Sequence, residues 1–470
     1  MTAIVTSNFR SVNAENFKQD VADEATSVYV GIGKADAWSN TRSDTTDTTP
    51  FTPVDALDAT GEAFQNMIGM KLVVEGDISH VVPRHTWETN ETYVPWDSDD
   101  GSIFDKKFYI ITSEFKVYKA IKAGGAGSTV EPIQTLPDPQ PESDGYTWKY
   151  MYTLGVADAE KFLTNSYMPV TTIDSKAGYP DPQPTEYSSD SAAEGVLPEA
   201  YYAQYLNQKA SLNSSTAAGI ERIEVTNGGT YSETPVVTIS GDGTGAAAIA
   251  VMSGSGSTQT VASITVDAKG TDYTIADITF STGDAAARAV IAPARGHGTD
   301  PVTELGAFFI GLNTQLTGAE DGDLTVGNDF RQVTIVRNPF NYGTAVVATA
   351  TTRKALRYLD FVSSVTVTNF DVDEVITGAT SGAEAFVVER DATSGYLYYN
   401  QNSKTGYKSF EDNETVTGAT TSTSGVLESS GALGNPEVEP GSGAIMFLEN
   451  RNPINRTATQ IEDIKVIIEF

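Results

Sequence analysis

The sequence contains no cysteine, and this absence excludes disulfide frameworks, thiol nucleophiles and cysteine-liganded metal sites. Histidine is almost as scarce. His80, His85 and His297 are the three in the chain, and they form no His-Glu-x-x-His or other clustered ligand set. We therefore expect no zinc or iron site and no cofactor.

Long apolar runs are missing as well. No stretch approaches about eighteen consecutive apolar residues, and neither a basic n-region nor a long apolar h-region follows the first methionine. The sequence therefore predicts a soluble, unsecreted protein that does not bind membranes.

Basic residues are few, with 30 Lys and Arg against 62 Asp and Glu, and the formal charge is -32. Such a field repels the phosphate backbone of nucleic acids, whose binding depends on Lys and Arg displacing counterions. We expect no nucleic-acid partner. The acidity indicates either a solvated, self-repelling surface or a specific cationic partner.

Motifs for catalysis or nucleotide binding are incomplete. Residues 97–101 resemble the start of a calcium loop, but Phe108 occupies the twelfth position, where a bidentate Glu is required. Residues 31–33 lack the third glycine of a dinucleotide loop, residues 124–128 lack the lysine of a P-loop, and no Gly-x-Ser-x-Gly elbow occurs. We expect turns at these places and no enzymatic activity.

What the sequence does contain favours β structure. Its 41 glycines and 20 prolines are typical of many short strands joined by turns. At 470 residues the chain is long enough for several hydrophobic cores. We predict a mainly β protein with a few short helices, a β-rich α+β fold whose discontinuous multidomain core consists of β-sandwich-like domains.

The last thirty residues predict two core strands. Residues 444–448 form an apolar run, residues 449–453 have the composition of a turn, and residues 461–470 include the period-two alternation of a strand. The predicted partner of these strands is the upstream run 330–338.

Other segments also have a helical or an alternating pattern. Helices are predicted behind Asn13 and over residues 58–70, and a surface loop or linker over residues 179–198. The predicted strands cover residues 2–9, 27–32, 71–75, 108–111, 115–121 and 144–152. Residues 108–111 and 115–121 are predicted to pair as a hairpin, and Asp-Gly sets the turn that begins the last strand.

Two internal duplications follow. The residues around Ile223 return at Ile264, 41 positions later, and those around Phe370 return at Phe410, 40 positions later. Two copies are too few for a solenoid, so each pair is predicted to form a small β module, inserted as a loop whose ends lie close together. The predicted boundaries are a core of residues 1–218, 293–362 and 433–470, a first module of residues 219–292 and a second module of residues 363–432.

Short segments outside the modules occur in the order of a known family. They are residues 3–10, residues 33–39 with Trp38, residues 82–84 with Trp87, residues 144–150 with Trp148, residues 330–339 and residues 449–454. In these segments the chain resembles the baseplate wedge subunit of T-even-type contractile-tailed phages, the family usually called gene product eight. The resemblance covers the core and not the modules. It implies a mostly β, multidomain homodimer without known enzymatic activity, assembled in the host cytoplasm into the tail baseplate of the virion beside other wedge proteins.

Arginine and tryptophan are enriched at interface hot spots, and basic residues are scarce in this acidic chain. The candidate protein-interface residues are therefore Arg84, Trp87, Arg331, Arg337 and Arg451. The alternative is that the tryptophans lie in the core and that the arginines hold turns through carboxylate pairs.

The sequence thus predicts a structural virion protein that holds neighbouring wedge proteins together during assembly and baseplate rearrangement. The alternative, from another class, is a carbohydrate-binding adhesin or receptor-binding protein, because duplicated β modules often display binding loops. In the second module, Tyr396, Tyr398, Tyr399 and Tyr407 are available to stack on a ligand, unless they cover a small core.

Overall fold

The computed structural model describes residues 3–23, 25–39, 47–171, 204, 206–208, 210 and 218–470. Strand accounts for 41% of the structure and helix for 14%, which confirms the predicted mainly β fold. The strands in the described ranges form five antiparallel sheets. The loop predicted over residues 179–198 lies outside the described residues.

Within these ranges the helices are α1 (Ser7–Ala22), α2 (Leu57–Asn66), α3 (Val156–Phe162) and α4 (Pro301–Leu305). The strands are β1 (Val28–Gly33), β2 (Met67–Leu72), β3 (Ile78–Pro83), β4 (Tyr109–Ile111), β5 (Lys116–Lys122), β6 (Gln140–Pro141), β7 (Thr147–Thr153), β8 (Tyr167–Pro169), β9 (Ile220–Asn227), β10 (Val237–Gly241), β11 (Thr244–Ser253), β12 (Thr260–Thr271), β13 (Ala276–Phe280), β14 (Ala286–Ile291), β15 (Phe309–Thr317), β16 (Asp329–Arg337), β17 (Thr352–Lys354), β18 (Arg357–Asp360), β19 (Val375–Gly378), β20 (Glu384–Asp391), β21 (Tyr396–Asn400), β22 (Thr415–Gly418), β23 (Ser424–Val426), β24 (Leu433–Gly434), β25 (Ala444–Asn455) and β26 (Ile461–Glu469).

The chain forms two compact units, each assembled from separate stretches of sequence. The first unit comprises Met1–Glu15, Ser79–Gly311 and Ile467–Phe470, and the second comprises Asn16–Ile78 and Leu312–Val466. Each unit is therefore discontinuous in sequence. The first module belongs to the first unit and the second module to the second unit.

The first unit contains an aromatic sheet in the order β4-β5-β7-β6. β4 and β5 pair as the predicted hairpin, with Ile110 opposite Tyr118. The turn before β7 places Gly145 at a φ of 89°, a conformation that favours glycine, so the predicted Asp-Gly turn is confirmed. Trp148 of β7 is fully buried in the aromatic cluster on this sheet.

The first module forms one six-stranded sheet in the order β10-β13-β14-β9-β12-β11. A bridge between Val236 and Ile249 links the two ends of this order, so that the sheet is a nearly closed barrel. Each copy of the duplication contributes three strands, and exchanging the copies leaves the order around the barrel unchanged. The repeat seen in the sequence is therefore an approximate twofold symmetry of the barrel.

The second unit is organised around a sheet in the order β17-β2-β1-β16-β25. Its central strands β1 and β16 are buried along almost their whole length, with Val30 opposite Ile335. On its other side β16 pairs with β25, with Ile335 opposite Phe447. This pairing confirms the predicted partnership of the runs 330–338 and 444–448.

The second module lies in a seven-stranded sheet in the order β23-β22-β19-β20-β21-β18-β24. β19 and β22 come from different copies of the duplication and pair antiparallel, with Thr377 opposite Thr417. Since these residues are 40 positions apart, the pairing places them on a local twofold axis. β18 and β24 belong to the same sheet although they lie outside residues 363–432.

Both modules leave and re-enter the rest of the chain at adjacent points. At the first module, the backbone N–H of Ala218 donates to the carbonyl of Pro293 at 3.1 Å. At the second, the N–H of Asp360 donates to the carbonyl of Ala432 at 2.8 Å. Adjacent ends are what an inserted loop requires, while the domain boundaries themselves stay a prediction.

The strand predicted over residues 2–9 is wrong, because α1 occupies its second half. The hydroxyl of Thr6 accepts a hydrogen bond from the N–H of Phe9 at 3.3 Å, as an N-cap does. Ala14 and Phe17 are buried at helical spacing. The cap and this apolar stripe together outweigh the short alternation on which the strand prediction rested.

The helix predicted over residues 58–70 ends early, at Asn66, and the strand predicted over residues 71–75 begins at Met67 instead. β2 lies between β1 and β17, and Met67 and Met70 are both buried. An apolar run that is covered on both faces has no alternation, so its pattern does not distinguish it from a helical stripe.

The turn predicted over residues 449–453 is also wrong, because β25 continues to Asn455. Pro453 falls where the register against β16 shifts, at an irregularity that tolerates a residue without an N–H. β26 does not join this sheet. It has the predicted period-two burial, with Ile464 and Val466 buried, but it lies beside β15 in the order β26-β15-β3-β8.

Candidate interaction site

Arg331 and Arg451 lie at the same irregularity in the pairing of β16 with β25. Arg331 is 4% exposed. Its guanidinium donates to both carboxylate oxygens of Asp47, at 2.8 and 2.7 Å, and to Asp329 at 3.0 Å. The hydrogen bonds from Arg331 hold the pKa of Asp47 below its usual range. Arg451 forms an ion pair with Glu449 at 2.7 Å.

Arg337 lies at the far end of β16 from Arg331. Its guanidinium is 3.0 Å from the carboxylate of Asp20, and both side chains are more than one-third exposed. An exposed pair of this kind contributes little to stability, about 0–1 kcal/mol.

Arg84 and Trp87 belong to the first unit, in the segment that follows β3. Arg84 donates to the carbonyl of Thr164 at 2.9 Å. The indole N–H of Trp87 donates to the hydroxyl of Ser128 at 3.1 Å, and its ring packs against the aromatic cluster of the first unit.

The structure thus brings Arg331 and Arg451 together, keeps Arg337 on the same strand as Arg331, and leaves Arg84 and Trp87 in the other unit. Each of the five side chains has a partner within the chain. Arg331, Arg337 and Arg451 pair with carboxylates, whereas Arg84 donates to a carbonyl and Trp87 is only partly buried. A role for these five residues in contacts with other proteins stays a prediction.

Residues 33–39, one of the segments that carry the family resemblance, are buried throughout. The ammonium of Lys34 lies 2.6 Å from the carboxylate of Asp36, and that of Lys404 lies 2.8 Å from the same group. Asn402 donates to Asp36 at 3.0 Å. Burial lowers the pKa of Lys34, and the charge of Asp36 offsets part of that effect. A buried polar network therefore holds this segment against a loop of the second module.

A cavity of about 360 Å³, which we call the tyrosine cavity, opens in the second unit beside β18, β20 and β21. Tyr358 of β18 and Tyr398 of β21 stand opposite each other in the sheet and form its aromatic wall. Their ring centres are 5.5 Å apart at an angle of 63°. Tyr396 stacks on Tyr358 with ring centres 4.1 Å apart, which fixes the orientation of the wall.

Acidic side chains dominate the polar lining of the tyrosine cavity. The charged residues around it are Asp323, Lys354, Glu389, Asp391 and Glu437. The ammonium of Lys354 lies 2.7 Å from Glu389 and 3.7 Å from the centre of the Tyr398 ring. Burial, followed by the charges of Glu389 and Asp391, raises the pKa of Tyr398 to about 12. The Tyr398 hydroxyl is therefore neutral at ordinary pH.

The four tyrosines predicted as stacking candidates have different positions. Tyr398 lines the tyrosine cavity, and Tyr396 supports its wall by stacking on Tyr358. Tyr399 is 5% exposed and packs in the core of the second module. Tyr407 is 56% exposed and does not line the cavity.

Sequence reasoning missed Tyr358, Lys354, Asp323 and Glu437 as members of this site. All four come from outside residues 363–432, and it is the fold that brings them to the tyrosines of β21. The alternation of Tyr396 and Tyr398 along one strand was the one pattern that indicated an aromatic face.

The described part of the chain contains no group of three or more His, Asp or Glu side chains placed to hold a metal ion. Its helices, within those described ranges, include none that is long and apolar enough to cross a membrane.

The N-terminal part of the chain matches a known family. Residues 3–142 match the model of a family described as Bacteriophage T4, Gp8. The matched range contains the buried segment 33–39 as well as Arg84 and Trp87. No curated protein matches the chain. The resemblance drawn from the short segments is thereby confirmed over the N-terminal part of the sequence.

Proposed function

We propose that this chain, which over residues 3–142 belongs to the bacteriophage T4 Gp8 family, is a wedge subunit of a contractile phage tail baseplate. The family match is the observation that carries the proposal, because membership implies a structural protein of the baseplate. In this role the chain forms a homodimer and holds other wedge proteins in place during assembly and rearrangement. Its work is mechanical, and no enzymatic activity is part of it.

An exposed apolar surface near the N-terminus supports a contact with other proteins. Ile4, Val5, Phe9 and Val12 are each more than half exposed, and the last two project from α1. Residues 3–14 contain no Asp or Glu, although the chain carries a formal charge of -32. Apolar surface free of carboxylates is where another acidic protein approaches with the least repulsion.

Co-expression with the other wedge proteins of the same phage tests the proposal. We expect the chain to co-purify with at least one of them in a complex whose interface buries roughly 2,000 Å² or more. Phe9→Asp should weaken this complex. Val156→Asp, which charges a residue that is 85% exposed on α3, is the matched control. A chain that stays alone under all these conditions would contradict the proposal.

A carbohydrate-binding adhesin is the second candidate, and the tyrosine cavity is the observation that favours it. Aromatic faces combined with carboxylates and an amide are a usual lining for a sugar site, and the cavity includes Asn435 beside its tyrosines. A glycan array on the full chain separates the candidates. Binding that Tyr398→Ala abolishes and Tyr407→Ala leaves intact, together with failure to co-assemble, would reverse the ranking.

A further inference from the structure

The tyrosine cavity has the dimensions of a binding site. Its volume of about 360 Å³ lies near the lower end of the range for small-molecule sites, roughly 300–1,000 Å³. That is ample space for one long side chain and its hydration water. Tyr358 and Tyr398 are only partly buried, and both line the cavity.

Three of the carboxylates around the tyrosine cavity have no cation beside them. Asp323 accepts a hydrogen bond from the hydroxyl of Thr352 at 2.6 Å, and Glu437 accepts one from the backbone N–H of Lys354 at 2.9 Å. Asp391 accepts one from a neighbouring serine hydroxyl at 2.7 Å. No ion pair within the described residues includes any of the three. The positive charge that acts on Asp391 is that of Lys354, which is already paired with Glu389.

The one ammonium at the site is already engaged. Lys354 is paired with Glu389 and lies over the ring of Tyr398, which shows that the aromatic wall stabilises a cation. With Lys354 and Glu389 neutralising each other, the remaining cavity presents the ring of Tyr358 and three carboxylates. A second cation entering there gains Coulomb attraction from these carboxylates.

From this geometry we infer that the tyrosine cavity binds the guanidinium or ammonium group of a basic side chain presented by a neighbouring protein. That the neighbour is a baseplate protein rests on the proposed function, whereas the preference for an organic cation rests on the cavity alone. The inference also gives a reason for part of the acidity of the chain. An anionic group such as a phosphate is repelled from the site, and a neutral sugar gains nothing from its net charge.

Titration calorimetry on the full chain tests the inference with two probes of the same shape. N-acetyl-L-arginine amide carries the positive charge, and N-acetyl-L-citrulline amide is its neutral isostere. We expect the arginine probe to bind about tenfold more tightly, as attraction to partly screened carboxylates implies. Added salt should reduce this difference. Two further probes complete the set. N-acetyl-L-lysine amide tests an ammonium group, and maltose tests a neutral sugar.

A single carboxylate variant locates the site. Glu437 is exposed, and glutamine retains an oxygen to accept the N–H of Lys354, so Glu437→Gln should fold normally. We expect this variant to weaken binding of the arginine probe about fivefold and to leave binding of the citrulline probe unchanged. Glu411→Gln removes an equally exposed carboxylate of the second module that does not line the cavity, and it should change nothing.

Several results would overturn the inference. They are equal binding of the arginine and citrulline probes, tighter binding of maltose than of either cation, equal effects of the two glutamine variants, and no binding of any cation at about 10 mM, where contacts worth roughly 3 kcal/mol are still seen. Because the probes need no partner, the result is independent of co-assembly. A chain that binds the arginine probe but joins no wedge complex would keep the cavity inference and lose the baseplate proposal.

Discussion

Glu374 and Glu414, which occupy the same position in the two copies of the second module, each cap a turn of the opposite copy. The carboxylate of Glu414 accepts the backbone N–H groups of residues 380 and 381, at 3.0 Å each. The carboxylate of Glu374 accepts those of residues 420 and 421, at 3.0 and 3.1 Å. Both glutamates are buried, at 4% and 3% exposure. The duplicated sequence is therefore held together by an exchange of hydrogen bonds across its twofold axis.

This exchange of hydrogen bonds predicts that a substitution in one copy destabilises a turn in the other copy. Glu414→Ala should cost about 1–3 kcal/mol of unfolding free energy, because it leaves the N–H groups of residues 380–381 without acceptors. Hydrogen exchange should accelerate at residues 380–381 in this variant and at residues 420–421 in Glu374→Ala. Glu411→Ala, at an exposed position nearby, is the control. Faster exchange confined to the copy that carries the substitution would contradict the exchange of caps.

Two glycines make room for these carboxylates. A Cβ placed on Gly378 would lie 2.5 Å from an oxygen of Glu414, and one on Gly418 would lie 2.5 Å from an oxygen of Glu374. We expect Gly378→Ala and Gly418→Ala each to destabilise the chain by about 1–3 kcal/mol in chemical denaturation. Gly61→Ala is the control, since Gly61 lies in α2 with open space around it, and alanine favours a helix. Equal stability of all three variants would show that the second module repacks without cost.

The stability of the second module should depend on pH through the ionisation of the Glu414 carboxyl. Burial alone would raise the pKa of this carboxyl, but hydrogen bonds from Ser381, Glu411 and Thr380 outweigh burial and hold the pKa below its ordinary value of 4.5. A group with a lowered folded pKa stabilises the fold above its unfolded pKa, and the contribution is lost as pH falls through the folded value.

The measurement is the difference in unfolding free energy between the native chain and Glu414→Gln. We expect this difference to be largest near about pH 7 and to shrink below about pH 4.5. A difference that grows on acidification would contradict the lowered pKa of Glu414.

The equivalent positions of Glu374 and Glu414 could be predicted from the 40-residue repeat. That each glutamate caps a turn of the other copy could not. A repeat shows that two copies have the same local pattern, and a capping glutamate within its own copy would leave the same pattern in the sequence. The crossing depends on the antiparallel register of Thr377 with Thr417, which is set by long-range strand pairing. For the same reason the repeats predicted two small β modules and left the order of the strands in their sheets open.

The residues of the tyrosine cavity could also be predicted only in part from the sequence. The alternation on β21 indicated that Tyr396 and Tyr398 share a face, but Asp323, Lys354 and Glu437 are separated by up to 114 positions in the sequence. Only the folded sheet brings them together, so no local pattern could identify them. Boundary errors such as the early end of α2 have a different cause, since tertiary burial there overrode a helical pattern.

The polar network at residues 33–39 predicts that Asn402 helps to hold the second module against this segment. Asn402 donates to Asp36 and to the side-chain oxygen of Asn66, both at 3.0 Å, and all three residues are buried. Asn402→Ala removes the donor to Oδ1 of Asp36 and to Oδ1 of Asn66, and should cost about 1–3 kcal/mol. Lys408→Ala, on an exposed neighbour, should change stability by less than about 0.5 kcal/mol. If the two variants unfold at the same denaturant concentration, the network does not fix the module.

The first module is attached through its ends, through residues 96–98 and through His297, whose ring lies 3.6 Å from the carboxylate of Glu221. Arg288 donates to the carboxylate of Asp97 at 2.8 Å, and Arg222 donates to the carbonyl of Trp96. Because Ala218 and Pro293 are already hydrogen-bonded to each other, a short Gly-Ser linker can replace residues 219–292 without moving either end. We therefore expect the deletion to leave the rest of the chain folded, with its melting transition preserved.

Locally, this deletion should accelerate hydrogen exchange at residues 96–98, which lose their ionic and backbone partners, and around His297, which loses its contact with Glu221. Arg288→Ala in the full chain is the matched control, because it breaks the contact with Asp97 and keeps the module. It should reproduce part of the faster exchange at the cost of about 1 kcal/mol, since the pair is partly exposed. An insoluble or molten deletion variant would instead mean that the barrel belongs to the core, and that residues 219–292 are not an insertion.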